Sequence, residues 1–124
     1  MCDGQGRPVV LLLTEGQMSD HMGAALIEPA LPSAKELVAD RGYDSSRFRK
    51  ELRERGIVPC IPSTRCRKVP IPHDRTLYRQ RHRIENMFGR LKDWRRVATR
   101  YDRCAHTFFS AICIAAAVTF WLTQ

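Results

Sequence analysis

The chain has 124 residues, which is enough for one folded domain with a hydrophobic core. Its 21 Lys and Arg residues against 13 Asp and Glu residues give a formal charge of +8, so we expect a polyanionic partner. The five cysteines lack C-x-x-C spacing and argue against a disulfide framework or a zinc knuckle, and the lack of a signal-like N-terminus favours a cytoplasmic protein.

The first predicted elements are a turn, a strand and a short helix. Residues 4–6 (Gly-Gln-Gly) predict the turn, and the apolar run at residues 8–14 predicts the strand. Ser19 or Asp20 is expected to cap a helix that runs through Ile27, because a side-chain oxygen there accepts an amide of the first turn. Two prolines then end the helix, Pro29 and Pro32.

A carboxylate follows the next predicted strand. Residues 36–39 predict a short buried strand that delivers Asp40 at its carboxyl end, just before a turn at Gly42. An acidic side chain that is held on a rigid strand and faces open space is well placed to bind a metal ion. The alternative is that Asp40 merely opens the turn. Asp44 and Ser45 are already available to cap the following helix, which leaves Asp40 free for another role.

A helix, a second strand and a basic loop come next. Residues 45–55 predict a helix that ends at Gly56, and residues 57–61 predict a strand, so the order favours a parallel pair of strands. Residues 62–74 predict a proline-rich loop in which three cations cluster: Arg65, Arg67 and Lys68. Such a charge run is usually solvated, but this one leads into the next helix, so DNA contact is the alternative.

Residues 75–97 predict one long helix, because they contain no proline and a single glycine. At about 100° per residue, an apolar arc lies opposite a basic side. The apolar arc contains Leu77, Gln80, Ile84, Met87, Phe88 and Leu91. A strip of about 60° between the two sides carries Y-x2-R-x3-E-x6-K, that is Tyr78, Arg81, Glu85 and Lys92.

This strip has two interpretations. It could present Glu85 to a metal or a substrate, with Arg81 and Lys92 as clamps for an anion. It could also be a solvated helix face on which Arg81 and Glu85 form an ordinary i,i+4 pair.

The end of the chain is first basic and then apolar. A second basic cluster suits the phosphates of a nucleic-acid backbone, and it contains Arg95, Arg96 and Arg100. Residues 104–122 predict an apolar helix whose alanines pack against a sheet. Its uncharged core, residues 108–122, would rise about 22 Å, which is short of the roughly 30 Å hydrocarbon thickness of a bilayer and does not favour a membrane span.

Three sequence segments point to a known family. They are LLTEGQMSD (residues 12–20), LVADRGYDSS (residues 37–46) and RHRIENMFGRLKDWRRVATRYDR (residues 81–103). The second segment is similar to the second-aspartate motif of bacterial insertion-sequence transposases of the DDE type, and the third is similar to their glutamate block. The first segment is similar to the stretch that usually precedes these two motifs. Tyr78, Arg81, Glu85 and Lys92 resemble the signature of the branch marked by Tyr-Arg-Glu-Lys.

The resemblance implies a single α/β domain over residues 1–124 with a partial ribonuclease-H-like (retroviral-integrase-like) fold of about three strands with helices. It also implies phosphoryl transfer by two Mg²⁺ or Mn²⁺ ions, with Asp40 and Glu85 as the second and third ligands. Tyr78, Arg81 and Lys92 would position terminal phosphates or a flanking strand. The partner would be DNA at the transposon ends, bound as a homodimer, with no small-molecule substrate.

The first aspartate of the family pattern has no counterpart in this sequence. Asp3 lies at the predicted turn and not on a strand, and the first two strands of the fold are missing. We therefore expect a C-terminal fragment of the catalytic domain that is inactive alone.

Two other functions fit the same sequence. A noncatalytic nucleic-acid-binding module would use only the basic loop and the second basic cluster, and its DNA binding would not change with Glu85→Gln or EDTA. A small membrane-associated protein would insert the apolar C-terminal helix beside a basic segment, and recovery in the soluble fraction without detergent would argue against it.

Overall fold

The computed structural model describes residues 1–122, and the chain divides into two compact units. The helical unit consists of Met1–Leu13 and His82–Gln124, and the α/β unit consists of Thr14–Arg81. The single domain expected over residues 1–124 stays a prediction, because a division by packing does not measure whether the units fold cooperatively.

The described residues contain six helices and two strands, joined by short turns. In chain order, these are α1 (Asp20–Ile27), β1 (Glu36–Val38), α2 (Ser46–Glu54), β2 (Val58–Cys60), α3 (Arg75–Tyr78), α4 (His82–Lys92), α5 (Arg95–Ala98) and α6 (Ala105–Ala117). Turns of 3₁₀ helix lie at Glu28–Ala30, Arg41–Tyr43 and Arg79–Arg81, and a π-helical turn follows α6 at Val118–Leu122.

The α/β unit is built on a parallel pair of strands, as the element order predicted. β1 pairs with β2 so that Leu37 lies opposite Pro59, and α2 forms the connection between them. Within residues 1–122 each of these strands is an edge of the sheet, which is where a proline without an N–H is tolerated. The core of the unit is apolar and consists of Ala24, Phe48, Leu52, Ile57 and Ile61.

Serine caps set the start of both longer helices in the α/β unit. The Ser19 hydroxyl accepts the Met22 amide at 3.3 Å, and the Ser45 hydroxyl accepts the Phe48 amide at the same distance. Helix α2 ends before Gly56, whose φ of +74° lies in the left-handed region that glycine adopts most readily. These boundaries confirm the predicted helices.

The predicted strand at residues 8–14 is not formed, so the expected three strands become two in the described part of the chain. Pro8 makes one isolated antiparallel bridge with Cys2, and the amides of Val9 and Val10 both donate to the Met1 carbonyl, at 3.1 and 3.5 Å. An apolar run becomes a strand only beside a partner of similar length. Here the pairing is limited to one bridge, so residues 8–14 do not form a strand.

The predicted long helix at residues 75–97 is divided into three shorter helices. A 3₁₀ turn separates α3 from α4, and a 3₁₀ turn keeps nearly the same side-chain period, so the apolar pattern does not reveal it. A second break follows α4 at Trp94. The indole nitrogen of Trp94 donates to the Thr119 hydroxyl at 2.9 Å, and the backbone carbonyl of Trp94 accepts the first hydrogen bonds of α5. Neither proline nor glycine marks these breaks.

The core of the helical unit joins α4 to α6. The buried residues of the two helices and the π-helical turn are Met87, Leu91, Ala115, Ala116 and Phe120. Ala115 and Ala116 of α6 therefore pack against α4, whereas the sequence predicted packing against a sheet. Phe88, predicted on the apolar arc, is 47% exposed, because the buried stripe of α4 is narrower than the arc.

The C-terminal helix is long and apolar. Residues Ala105–Leu122 form 18 continuous helical residues with a mean hydropathy of 1.7, so one helix of the described chain could cross a membrane by length and composition. Core helices of soluble proteins meet the same two criteria, but they are mostly buried, whereas 17% of this stretch is buried. A single helix of this kind is weak evidence for the membrane alternative.

Candidate active site

The Asp40 carboxylate is not used by the turn that it opens. Asp40 follows β1, and its backbone carbonyl accepts the Tyr43 amide at 2.9 Å to start a 3₁₀ turn, whereas its side chain makes no capping hydrogen bond. The side chain is 51% exposed. The alternative interpretation, in which Asp40 serves only the turn, thus leaves its carboxylate unexplained.

Two residues of the predicted signature contact this carboxylate. The Tyr78 hydroxyl donates to Oδ1 of Asp40 at 3.1 Å, and Arg81 donates from Nη1 to Oδ2 at 2.9 Å. The Arg81 guanidinium carbon also lies 6.0 Å from the centre of the Tyr78 ring, within cation–π range. Three side chains from two distant motifs therefore form one polar cluster inside the α/β unit.

The hydroxyl of Tyr78 remains a proton donor at neutral pH. Partial burial raises its pKa above 10.0, and the hydrogen bond to Asp40 and the negative charge of Asp40 raise it further. His73 packs edge-on against the same ring, with 5.3 Å between the ring centres. The ring of Tyr78 is thus held from two sides while its hydroxyl faces Asp40.

A second acidic side chain lies beside the Asp40 turn. The Asp20 carboxylate lies so close to the backbone of Gly42 that a Cβ added to this glycine would overlap it. Burial raises the pKa of Tyr43, and the charges of Asp20 and Asp40 raise it further. Sequence reasoning treated Asp20 as a helix cap and missed this proximity, because residues 20 and 42 lie in different predicted elements.

The other two signature residues lie on α4 in the helical unit. Glu85 is in the first turn of α4 and Lys92 is its last residue, and both are exposed. These positions suit the helix dipole, which favours an acid near the N-terminus and a base near the C-terminus. Asp40 belongs to the α/β unit and Glu85 to the helical unit, so their convergence on one ion remains a prediction.

The three cations of the basic loop have different surroundings. Arg67 forms an ion pair with Asp44 at 2.7 Å and donates to the Ser46 hydroxyl at 3.1 Å. Arg65 and Lys68 are exposed. Asp44, which the sequence offered as a helix cap, is instead a buried partner of arginine.

The second basic cluster is also divided. Arg96 donates two hydrogen bonds of 2.7 Å to the carboxylate of Asp102 and stacks over the ring of Tyr101 at 5.6 Å. Arg95 and Arg100 are exposed, and Arg100 has a φ of +48°. Arg95 and Arg100 are therefore better placed than Arg96 for phosphate contact.

The Asp40 site offers the type of ligand atom that a hard divalent ion binds. The half-exposed Asp40 carboxylate supplies oxygen atoms, which are the ligands that Mg²⁺ prefers. Over residues 1–122, no group of three or more His, Cys, Asp or Glu side chains is placed to hold an ion. The described residues therefore offer single oxygen ligands and do not build a complete metal site.

Comparisons with known proteins give a consistent result. A family model described as transposase DDE domain matches residues 37–122. The chain is 29% identical over 132 residues to "Putative transposase for insertion sequence element IS402" of Burkholderia cepacia, an alignment that covers 98% of this chain and 60% of that protein. It is 28% identical over 125 residues to "Putative transposase for insertion sequence element IS6501" of Brucella ovis, with 97% and 92% covered. No solved structure gives a significant match.

The matched stretch runs from β1 to the π-helical turn. It includes Asp40, the two residues that contact its carboxylate, and both candidate residues of α4. It also extends over more than half of the chain, whereas the chain itself spans 60% of the length of the Burkholderia protein. On this match, the chain belongs to the family of transposase DDE domains.

Proposed function

We propose that this chain acts in DNA transposition and supplies two of the three metal-binding carboxylates of an insertion-sequence transposase. Asp40 is the second carboxylate and Glu85 the third, in the branch marked by the Tyr-Arg-Glu-Lys signature. Membership of the transposase DDE domain family and the printed names of the two relatives support this function. In this proposal, the first aspartate and the first two strands of the ribonuclease-H-like fold, which the resemblance assigns to the complete site, come from outside these 124 residues.

The contacts of the Asp40 carboxylate carry the proposal. Tyr78 and Arg81 are 38 and 41 residues away from Asp40 in sequence, yet both donate to it. An incidental surface ion pair involves two side chains and contributes little to stability. Here both oxygens of one acid are held by two residues of a separate motif, which is the arrangement expected for an oriented ligand.

Tyr78 and Arg81 are positioning residues in this proposal. The resemblance implied that they contact phosphates, whereas their hydrogen bonds support a role in orienting Asp40. A bound pair of divalent ions would activate a water or a 3′-hydroxyl and stabilise the leaving oxygen. The residues of this chain fix the direction of the carboxylate, and the positive charge of Arg81 balances its negative charge while it is held.

A polypeptide of these 124 residues lacks strand transfer under this proposal. The only acid near its N-terminus within residues 1–13 is Asp3, which accepts the Gln5 and Arg7 amides at 2.9 Å and pairs with the Arg7 guanidinium at 2.8 Å. These contacts stabilise a turn. Metal-dependent cleavage or joining of transposon ends by the purified chain, abolished by Asp40→Ala, would contradict this part of the proposal.

The proposed partner is DNA, bound at phosphates by exposed cations. Arg65 and Lys68 in the basic loop of the α/β unit are exposed. Arg95 and Arg100 near α5 are exposed in the helical unit, and exposed arginines and lysines of this kind bind phosphates. A homodimer on DNA, as the resemblance implies, belongs to the same proposal.

Titration with Mn²⁺ tests the two carboxylates directly. In the ¹⁵N-labelled chain we expect the paramagnetic ion to broaden amide signals around residues 40 and 85, because Mn²⁺ prefers carboxylate oxygen. Asp40→Asn and Glu85→Gln should each weaken the broadening around both residues, because the two acids share one site in this proposal. Asp93→Asn is the matched control, since Asp93 is an exposed acid in the turn after α4.

The same titration can contradict the proposal. If Mn²⁺ broadens the spectra of Asp40→Asn and Glu85→Gln as strongly as that of the unmodified chain, these acids are not its ligands. DNA binding that then proves steeply salt-dependent, and unchanged by EDTA, would support the noncatalytic nucleic-acid-binding module.

A further inference from the structure

A buried ion network ties the basic loop to α2. The Asp44 side chain has 0% exposure, and its Oδ1 accepts hydrogen bonds from Arg49 at 2.8 Å and from Arg67 at 2.7 Å. Its Oδ2 accepts the Thr64 amide at 2.7 Å and a second bond from Arg67 at 3.0 Å. Arg49, 2% exposed, also donates to the Ile61 carbonyl at 2.7 Å. Four of these five bonds involve Asp44, and two of its partners lie in the loop.

Such a network fixes the path of the loop because buried charges are costly when any partner is lost. The loop has its own support as well. The Ser63 hydroxyl accepts the Ile71 amide at 2.7 Å and donates to the Ile71 carbonyl at 3.2 Å, which closes the loop across eight residues. The loop is therefore held at both ends and at Arg67.

The held path separates the three cations. Arg67 points into the network, with 20% of its side chain exposed, whereas Arg65 and Lys68 on either side are exposed. We infer that Asp44 and Arg67 are positioning residues for DNA, and that they hold the loop so that Arg65 and Lys68 meet the phosphate backbone together. This inference rests on the proposed DNA binding by the loop.

Charge and geometry give opposite expectations for Asp44→Asn. The substitution removes one negative charge, so simple attraction to DNA would strengthen binding. A positioning role predicts weaker binding, because the loop must then be ordered on the DNA at an entropic cost. The direction of the change therefore separates the two effects.

The experiment measures binding of the full chain to a labelled 20-base-pair duplex over a range of salt concentrations. Asp44→Asn and Arg67→Lys should each weaken binding by about tenfold and leave the salt slope nearly unchanged, because Arg65 and Lys68 still contact phosphate once the loop is ordered on the DNA. Arg67→Lys keeps the positive charge but removes the planar guanidinium that donates two hydrogen bonds to Asp44. The Asp44–Arg49 pair stays in place. Glu54→Gln is the control, because it removes an exposed charge from α2.

Limited digestion with trypsin measures how firmly the loop is held in the absence of DNA. Cleavage after Arg65 and Lys68 should be faster in Asp44→Asn and Arg67→Lys than in the unmodified chain and in Glu54→Gln, because a released loop fits a protease site more readily. Faster cleavage together with weaker DNA binding supports the inference.

Three results would overturn the inference. DNA binding that is unchanged or tighter in Asp44→Asn while cleavage is faster would show that the loop path does not matter for DNA. Arg67→Lys that binds normally, beside an Arg67→Ala that weakens binding as Arg65→Ala does, would make Arg67 a direct phosphate contact. An unmodified chain that does not bind the duplex would remove the proposed DNA binding itself, and this outcome differs from the first two.

Discussion

The two units bury different kinds of side chain. The α/β unit buries two charged residues: as whole residues, Asp44 is 6% exposed and Arg49 is 2% exposed. In the described part of the helical unit, every buried side chain that defines the core is apolar, as in Met87 and Leu91. The helical unit also exposes large apolar side chains, with Ile114 at 60% and Leu122 at 74%.

The difference shows how each unit fixes its geometry. Hydrogen bonds and ion pairs are directional, so the buried network around Asp44 sets the path of the basic loop, and the hydrogen bonds from Tyr78 and Arg81 set the orientation of Asp40. Apolar packing is non-directional and holds helices together without fixing a single polar group. We therefore expect precision of the candidate site to depend on the α/β unit and bulk stability to depend on both units.

The largest effect on stability should come from breaking the buried ion network around Asp44. Arg49→Ala is expected to lower the free energy of unfolding by about 3–5 kcal/mol, because it removes a buried partner of Asp44 and leaves the Ile61 carbonyl without its donor. Chemical denaturation followed by circular dichroism measures this loss. Arg47→Ala on the same helix is the control, since the Arg47 side chain is 81% exposed, and it should change stability by less than about 0.5 kcal/mol.

The same variant tests whether the units fold as one domain. Both tryptophans, Trp94 and Trp121, lie in the helical unit, so their fluorescence reports that unit alone. The single-domain prediction requires the fluorescence transition of Arg49→Ala to shift together with the circular dichroism transition. A fluorescence transition that does not move would contradict it.

The next largest effect should come from the apolar core of the helical unit. Leu91→Ala is expected to cost about 2–4 kcal/mol, because Leu91 is 2% exposed and its truncation leaves a cavity beside α6. The midpoint of the tryptophan fluorescence transition gives the change. Ile114→Ala, at an exposed position of α6, should leave this midpoint nearly unchanged, and an equal loss in both variants would refute the assigned core.

The smallest effect should come from protonation of Asp44 in acid. Burial by itself raises the pKa of Asp44, but hydrogen bonds from Arg67, the Thr64 amide and Arg49 outweigh burial and lower this pKa well below 3.8. The stabilisation is therefore complete above 3.8 and is lost as the pH falls towards the lowered pKa. Unfolding measured from pH 5 to pH 2 should show a decline that is reduced in Asp44→Asn, and an identical decline would contradict the assignment.

Local features of the structure could be predicted from the sequence. The serine caps at Ser19 and Ser45, the parallel strands around Leu37 and Pro59, and the placement of Asp40 at a strand end all depend on neighbours within a few residues. Short-range hydrogen bonding and side-chain alternation determine these features. The pattern of residue types records both directly.

Long-range polar partners could not be predicted in this way. Asp44 and Arg67 are 23 residues apart, and nothing in either segment distinguishes this pair from the other charged residues nearby. The same holds for Asp40 and Arg81, which are 41 residues apart: neither interpretation of the helix strip linked Arg81 to Asp40. A strand was predicted at residues 8–14 from hydrophobicity alone, although a strand also requires a partner.

The 3₁₀ turn at Arg79–Arg81 accounts for the spacing between the two residues that hold Asp40. In a 3₁₀ helix, side chains three positions apart eclipse one another, so Tyr78 and Arg81 can reach the same acid from one side of the backbone. One residue inserted between them would rotate Arg81 by about a third of a turn relative to Tyr78, so the two side chains could no longer reach Asp40 together. The number of residues between the tyrosine and the arginine is therefore constrained as tightly as their chemical identity.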